Sequence, residues 1–167
     1  MANNELSKNT EVAIILGSKS DWEIMKHCQE TFEAFGVSTN ASIFSAHRTP
    51  EALTRHLEKA HEFDVKIFIA AAGLAAHLAG VIASHTEKPV IGVPIAAGAL
   101  NGVDALYSMV QMPPGIPVAT VGIGKPGAVN AALLAVSILS LNDNNLAVKL
   151  SEYRKEQAEK VLSQQLE

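Results

Sequence analysis

Five short apolar, β-prone runs recur along the chain, at residues 12–16, 37–44, 65–71, 90–93 and 118–121, and each is followed by a stretch with helical character. The helical stretches span 21–35, a segment opening at Thr49-Pro50-Glu51, 74–84, 104–112 and 128–141. A strand that is always followed by a helix pairs in parallel with its neighbour, because only such a crossover returns the chain to the same end of the sheet. Val12-Ala13-Ile14-Ile15-Leu16 shows no polar alternation, as expected of a strand covered on both faces. The pattern predicts an α/β three-layer sandwich around a five-stranded parallel sheet in the flavodoxin-like order 2-1-3-4-5.

With 167 residues, 48% hydrophobic but only 5% aromatic, the chain is long enough for a core packed from Ala, Val, Ile and Leu. One domain is expected over 1–167, with its core at about 11–141 and a C-terminal helix at about 143–164 after the polar break Asn142-Asp143-Asn144-Asn145. Between Pro89 and Ser140 only Asp104 and Lys125 are charged, and the helix beginning near Ala128 has no polar face. A monomer would need one there, so this helix is expected to be buried between subunits of a homo-oligomer, with the C-terminal helix also packing on neighbouring subunits.

Two turns concentrate the polar chemistry. Gly17-Ser18-Lys19-Ser20-Asp21 follows the first strand, and Ser45-Ala46-His47-Arg48-Thr49-Pro50 follows the second. In an open α/β sheet both turns lie at the carboxyl ends of the strands, where ligands bind. Gly17 permits close backbone approach, the amides of the helix start attract an anion, and Ser18 and Ser20 add hydroxyl donors. Asp21 repels phosphate but accepts from ribose hydroxyls, and Ser20 or Asp21 is expected to cap the first helix. Thr49 caps the second helix, Pro50 suits its first position, and Glu51 favours the positive end of its dipole. His47 and Arg48 therefore stand just before a helix, an imidazole suited to proton transfer beside a guanidinium suited to phosphate. Ala72-Gly73-Leu74-Ala75-Ala76-His77, after the third strand, forms a further wall whose small side chains leave backbone amides accessible to a carboxylate or to carbon dioxide. His77 is a possible site residue. His27, His56, His61 and His85 have charged neighbours and are expected on the solvated surface.

Several function classes are disfavoured. The formal net charge of -4 comes with no basic stripe to bind nucleic acid. The single cysteine, Cys28, falls mid-helix with no motif around it and is expected to be buried and inert. The apolar stretch 67–83 is short for a membrane span and contains Gly73, His77 and Gly80, while residues 1–10 lack the apolar core of a signal peptide, so a cytoplasmic protein without a membrane partner is expected. No metal-ligand spacing occurs, and no Gly-x-Ser-x-Gly elbow. Gly122-Ile123-Gly124-Lys125-Pro126-Gly127 matches the dinucleotide fingerprint formally, but no strand with an acidic end follows about 20 residues later, so these read as loop glycines.

Together the segments 17–22, 45–50, 75–78, 92–94, 102–108, 111–113 and 115–117, in this order, resemble the bacterial carboxyaminoimidazole ribonucleotide mutases of purine biosynthesis, over a stretch from about Val12 to the terminal helix. The resemblance implies a flavodoxin-like subunit, a homo-octamer, and interconversion of N-carboxyaminoimidazole ribonucleotide with its carbon-carboxylated isomer without ATP, metal or organic cofactor. It implies that Ser18, Asp21 and Arg48 bind the ribonucleotide, with Gly17, Ser20, Ser45 and Ala46 around them, that His47 is the general acid/base, and that Gly73, Ala75 and Ala76 line the carboxylate side. The chain departs from the family pattern at Leu74, where a second glycine is usual, and at Ala79, where a proline is usual. Ala75-Ala76-His77-Leu78 is similar to the mutases rather than to the related carboxylase that takes free carbon dioxide. A non-catalytic nucleotide-binding module and a flavodoxin-like electron carrier are the remaining alternatives, although no aromatic-rich loop offers to stack a flavin.

Overall fold

The computed structural model describes residues 6–166. Strands β1 (Val12–Leu16), β2 (Thr39–Ile43), β3 (Ile67–Gly73), β4 (Val90–Ile95) and β5 (Ala119–Thr120) form one parallel sheet in the order β2-β1-β3-β4-β5. This is the flavodoxin-like arrangement expected. Helices α1 (Trp22–Phe35), α2 (Pro50–Glu62), α3 (Leu78–Ser84), α4 (Val103–Val110), α5 (Lys125–Leu139) and α6 (Asn144–Leu162) complete the chain.

The pleat of the central strands explains the two helical layers. Val12, Ile14 and Leu16 face one core with Met25 and Phe32 of α1 and Ala131 and Ala135 of α5. Ala13 and Ile15 face the other, with Leu53 and Leu57 of α2, Ile82 of α3 and Met109 of α4. Because both faces are covered, every residue of β1 and β4 is buried, which is why these runs carry no alternation. Each large aliphatic side chain so buried stabilises the fold by about 1.5–3 kcal/mol. On α1 the buried residues Met25, Cys28, Phe32 and Phe35 follow helical spacing, and burial pushes the Cys28 thiol up to about 12, leaving it inert at neutral pH as expected.

Two expectations are corrected. Helix α3 begins at Leu78, not Leu74, because residue 74 takes a left-handed backbone, φ +58°, that no helix can accommodate. His56 is buried, not solvated: it falls with Leu53, Leu57 and Ala60 on the apolar face of α2, its ring 4.5 Å from that of Phe44, and its Nε2 has no hydrogen-bond partner among the described residues. Burial, reinforced by the charge of Lys59, lowers its pKa to about 4. Helix α5 buries Gly127, Ala128, Ala131, Ala132, Ala135 and Val136 within its own chain, where small residues let it approach α1 closely, so much of its apolar character is used inside the subunit. Helix α6 likewise docks its first half on its own chain, through Leu146, Leu150, a Tyr153–Phe35 ring contact at 5.7 Å, and a 2.8 Å bond from Lys149 to the carbonyl of Phe35 that closes α1. Only its far end, with Val161 and Leu162 exposed, projects beyond these contacts.

The glycine fingerprint has a packing explanation. A Cβ on Gly127 would fall 1.7 Å from the carbonyl oxygen of Gly122, so this loop folds back on itself and only glycine fits. Among the described residues no helix is long and apolar enough to cross a membrane.

Candidate active site

The carboxyl ends of β1, β2 and β3 meet where the chain steps outward from β1 to β2 and then crosses back to β3, the switch point at which open parallel sheets form crevices. A cleft of about 540 Å³ opens there. A cavity of about 1020 Å³ lies elsewhere, lined by the start of β4, His61, His85 and the turn before β5. Volume alone would favour the latter, but the polar side chains singled out by the sequence converge on the smaller cleft, and we take that as the candidate site.

The first wall is the turn after β1. The Gly17 amide donates to the Ala71 carbonyl at 2.9 Å, continuing the ladder between β1 and β3 beyond the strand end. Ser18 then caps a short 3-10 turn, Lys19–Asp21: its amide donates to Asp21 Oδ2 at 2.9 Å, while its Oγ accepts from the amide and hydroxyl of Ser20 at 3.3 and 2.9 Å. This reciprocal capping box differs from the cap expected. Asp21 stands at the start of α1, yet its carboxylate makes no capping bond to that helix. The amides of Ser18 and Ser20 are occupied internally, so what this turn offers a ligand is its hydroxyls more than an empty nest of amides. Asp21 is buried, and burial raises its carboxyl pKa against the opposing bonds from Ser18 and Ser20.

The second wall is the turn after β2. Thr49 is the residue before α2, but its hydroxyl donates back to the Ser45 carbonyl at 3.1 Å and accepts from the Ser45 amide at 3.0 Å, instead of capping the helix. Ser45 Oγ accepts from the Arg48 amide and Nε at 3.2 and 3.3 Å. Arg48 also donates through an Nη to the Gly17 carbonyl at 3.2 Å. One guanidinium thereby ties the second turn to the first, and a planar group with five N–H donors keeps others for an anion.

The third wall follows β3. His77 precedes α3 and its Nδ1 lies 2.9 Å from Nε2 of His47, with the rings edge to face at 88°. Two facing imidazole nitrogens at this distance share one hydrogen: one ring donates and the other accepts. The pair fixes the orientation of His47 and links its tautomer to that of His77. Ala72, Gly73, Leu74 and Ala75 line the cleft beside Ala46, and Ala97 adds an apolar surface that sequence reasoning did not select. Ala76 is the exception among the chosen residues: it is buried in the core under α2 and α3 and does not line the cleft. Its neighbours Leu74, Ala75 and His77 are exposed.

A family model described as AIR carboxylase matches residues 11–160. The chain belongs to the AIR carboxylase family. It is 54% identical over 153 residues to an N5-carboxyaminoimidazole ribonucleotide mutase of Brucella melitensis, covering 92% of this chain and 94% of that protein. To the protein of the same name from Escherichia coli it is 52% identical over 151 residues, covering 90% and 89%. The crystal structure of Treponema denticola PurE superimposes with a TM-score of 0.83 at 32% identity, over 90% of this chain and 93% of that one.

Within this AIR carboxylase family member the left-handed Leu74 is the most unusual element of the cleft. Holding a leucine there costs about 1–2 kcal/mol relative to ordinary backbone. Its signal in the sequence was the replacement of a usual glycine, which marks a backbone that a side chain seldom follows.

Proposed function

We propose that this chain is an N5-carboxyaminoimidazole ribonucleotide mutase, an isomerase of purine biosynthesis that moves a carboxyl group from nitrogen to carbon on one ribonucleotide. The observation that carries this reading is the convergence of His47, Arg48 and Ser18 on one cleft at the switch point, across from a wall of alanines. The names of relatives at about half identity favour the mutase over a carboxylase using free carbon dioxide.

In this reading Arg48, Ser18, Ser20 and Ser45 hold the phosphate and Asp21 accepts from the ribose, with Gly17 and Ala46 allowing close approach. The carbamate N–C bond breaks, the nitrogen takes a proton, and carbon dioxide is released into the cleft. The ring carbon then bonds to that carbon dioxide and gives up its hydrogen as a proton to His47. One proton is taken up and one returned, so the sequence balances as an isomerisation and calls for no ATP, metal or organic cofactor. His47 serves as acid in the first half and base in the second, and the bond to His77 orients the ring for both. Gly73, Leu74 and Ala75 border the carboxyl side. Enclosure matters because escaped gas returns only from dilute solution, whereas a held molecule has a high effective concentration.

The test is isomerisation of the carbamate nucleotide with and without added bicarbonate. Turnover independent of bicarbonate supports the mutase. Turnover of aminoimidazole ribonucleotide only when bicarbonate is present would establish the carboxylase instead, and tight binding without turnover would leave a binding module.

The same reading includes a cytoplasmic homo-octamer. Val103, Tyr107 and Val110 form an exposed apolar row along α4, with Leu100 exposed in the turn before it, and Val161 and Leu162 end α6, all surfaces that a second copy would cover. Light scattering at micromolar protein should give the octamer mass; a stable monomer would refute it.

A further inference from the structure

We propose that Asn101 is a site of spontaneous covalent modification, at which the chain converts its own asparagine, through a cyclic imide, into aspartate and isoaspartate and so loosens the loop between β4 and α4. This chemistry does not depend on which reaction the cleft performs.

Among the asparagines of the chain, Asn101 alone is followed by glycine. The pair forms the tip of a tight turn. Asn101 has φ +49° and Gly102 φ +87° with ψ 0°, and the Val103 amide donates to the Leu100 carbonyl at 3.1 Å across them, as in a type I′ turn. Asparagine and glycine enter the left-handed region most readily, so the turn selects the same dipeptide that its own chemistry makes labile. Glycine has no side chain to shield its backbone nitrogen from the neighbouring carboxamide. Asn101 is exposed, and among the described residues neither its carboxamide nor the Gly102 amide makes a hydrogen bond, so no bond has to break before the two approach.

The step balances with water as the only co-reactant. The Gly102 nitrogen gives up its proton and bonds to Cγ of Asn101, and the carboxamide C–N bond breaks to release ammonia, leaving a five-membered imide. Water then adds to one of the two imide carbonyls. Opening between the nitrogen and Cγ gives aspartate in an ordinary chain; opening between the nitrogen and the main-chain carbonyl gives isoaspartate, whose chain runs through Cβ and Cγ. One water is consumed, one ammonia is lost and one negative charge is gained. Ring closure is intramolecular, so proximity takes the place of a catalyst.

The two products act differently on the loop. Aspartate keeps the backbone and stands just ahead of α4, where negative charge is favourable. Isoaspartate adds one atom to the main chain before Gly102. The loop has no slack there, because Gly102 is seated against the loop's own beginning: a Cβ on it would fall 3.0 Å from Ala96 Cα and 2.9 Å from Ile123 Cγ2. Ala97, the next residue of the same loop, lines the cleft, so a change at 101 reaches the site from outside it.

The full chain at micromolar concentration is incubated in warm, mildly alkaline buffer made with oxygen-18 water, then mapped by peptide mass spectrometry. Residue 101 should become acidic and carry the heavy oxygen many-fold faster than Asn40, Asn130 or Asn142. Conversion no faster than at those positions would overturn the proposal. The aged isoaspartyl form, separated by anion exchange and identified with an isoaspartate-specific methyltransferase, should exchange its amide hydrogens over residues 96–103 several-fold faster than Asn101→Asp, which gains the charge without the extra atom. Equal exchange in the two would overturn the loosening of the loop. Asn101→Gly keeps a residue that accepts the left-handed turn and has no carboxamide, so the same incubation should leave its exchange unchanged; loosening in that variant would trace the effect to another lesion and overturn the assignment to Asn101.

Discussion

On one side of the cleft, the turns after β1 and β2 bind their hydroxyls, amides and guanidinium to one another: Ser18 with Asp21 and Ser20, Ser45 with Arg48 and Thr49, Arg48 with Gly17. On the other, the loops after β3 and β4 contribute Ala72, Leu74, Ala75 and Ala97, fixed by a left-handed backbone and by contacts that leave no room for a Cβ. Both walls are preorganised, by hydrogen bonds in one case and by steric contact in the other. The difference fits two kinds of cargo, an anionic sugar phosphate and an uncharged gas. His47 stands where the two meet, its backbone in the polar turn and its ring bonded to His77 of the apolar loop.

The comparison breaks most sharply at that junction. His47→Asn removes the proton carrier and leaves both walls standing, so turnover should fall about 10²–10⁴-fold while the nucleotide still binds. Steady-state kinetics beside a binding titration will separate the two effects, and a variant of near wild-type rate would take His47 out of the reaction. Arg48→Ala attacks the polar wall alone. Loss of a charge-assisted contact to phosphate, worth about 1.5–3 kcal/mol, should raise the apparent Kd about 10–100-fold. Arg48→Lys should recover part of that loss but not the tie to Gly17, since an ammonium lacks the planar fork. If affinity were unchanged in Arg48→Ala, the two walls would not divide the substrate as described.

A smaller effect separates stability from chemistry. His56 lies on α2 outside both walls and stays neutral in the folded chain down to about pH 4, because burial and Lys59 disfavour its charge. In the unfolded chain the imidazole takes a proton near its ordinary value of about 6.5. Its folded pKa is the lower of the two, so the penalty is absent above about pH 6.5 and grows as pH falls from there toward 4. Urea midpoints measured across that window should decline less steeply in His56→Leu than in wild type, with nucleotide affinity at neutral pH unaffected. Parallel slopes would show that His56 is not the group titrating.

The polar wall was the more legible of the two in the sequence. A strand followed by Gly17 and hydroxyls, and a Thr-Pro-Glu helix start just after His47 and Arg48, identify both turns by local rules of backbone geometry. What local rules do not carry is the pairing between turns. His47 and His77 are 30 residues apart, and their bond exists because β1 lies between β2 and β3. The capping partners were likewise misassigned, since Ser18, Ser20 and Asp21 all favour caps and only the 3-10 geometry selects among them. Ala76 is expected to line the cleft from the resemblance and from its small neighbours, and neither signal says which of residues 74–77 turns inward to the core. For His56, the spacing with Leu53, Leu57 and Ala60 carried the signal, and charged neighbours on the outer face of α2 masked it.

The most direct test of the central claim is a crystal structure with the product nucleotide bound. The account predicts the phosphate on Arg48 and the serine hydroxyls of the first two turns, the carboxylate against Ala75, and the His47 imidazole within hydrogen-bonding reach of the carboxylated ring carbon's face of the base. A nucleotide whose base lies on another rim, away from His47, would contradict it.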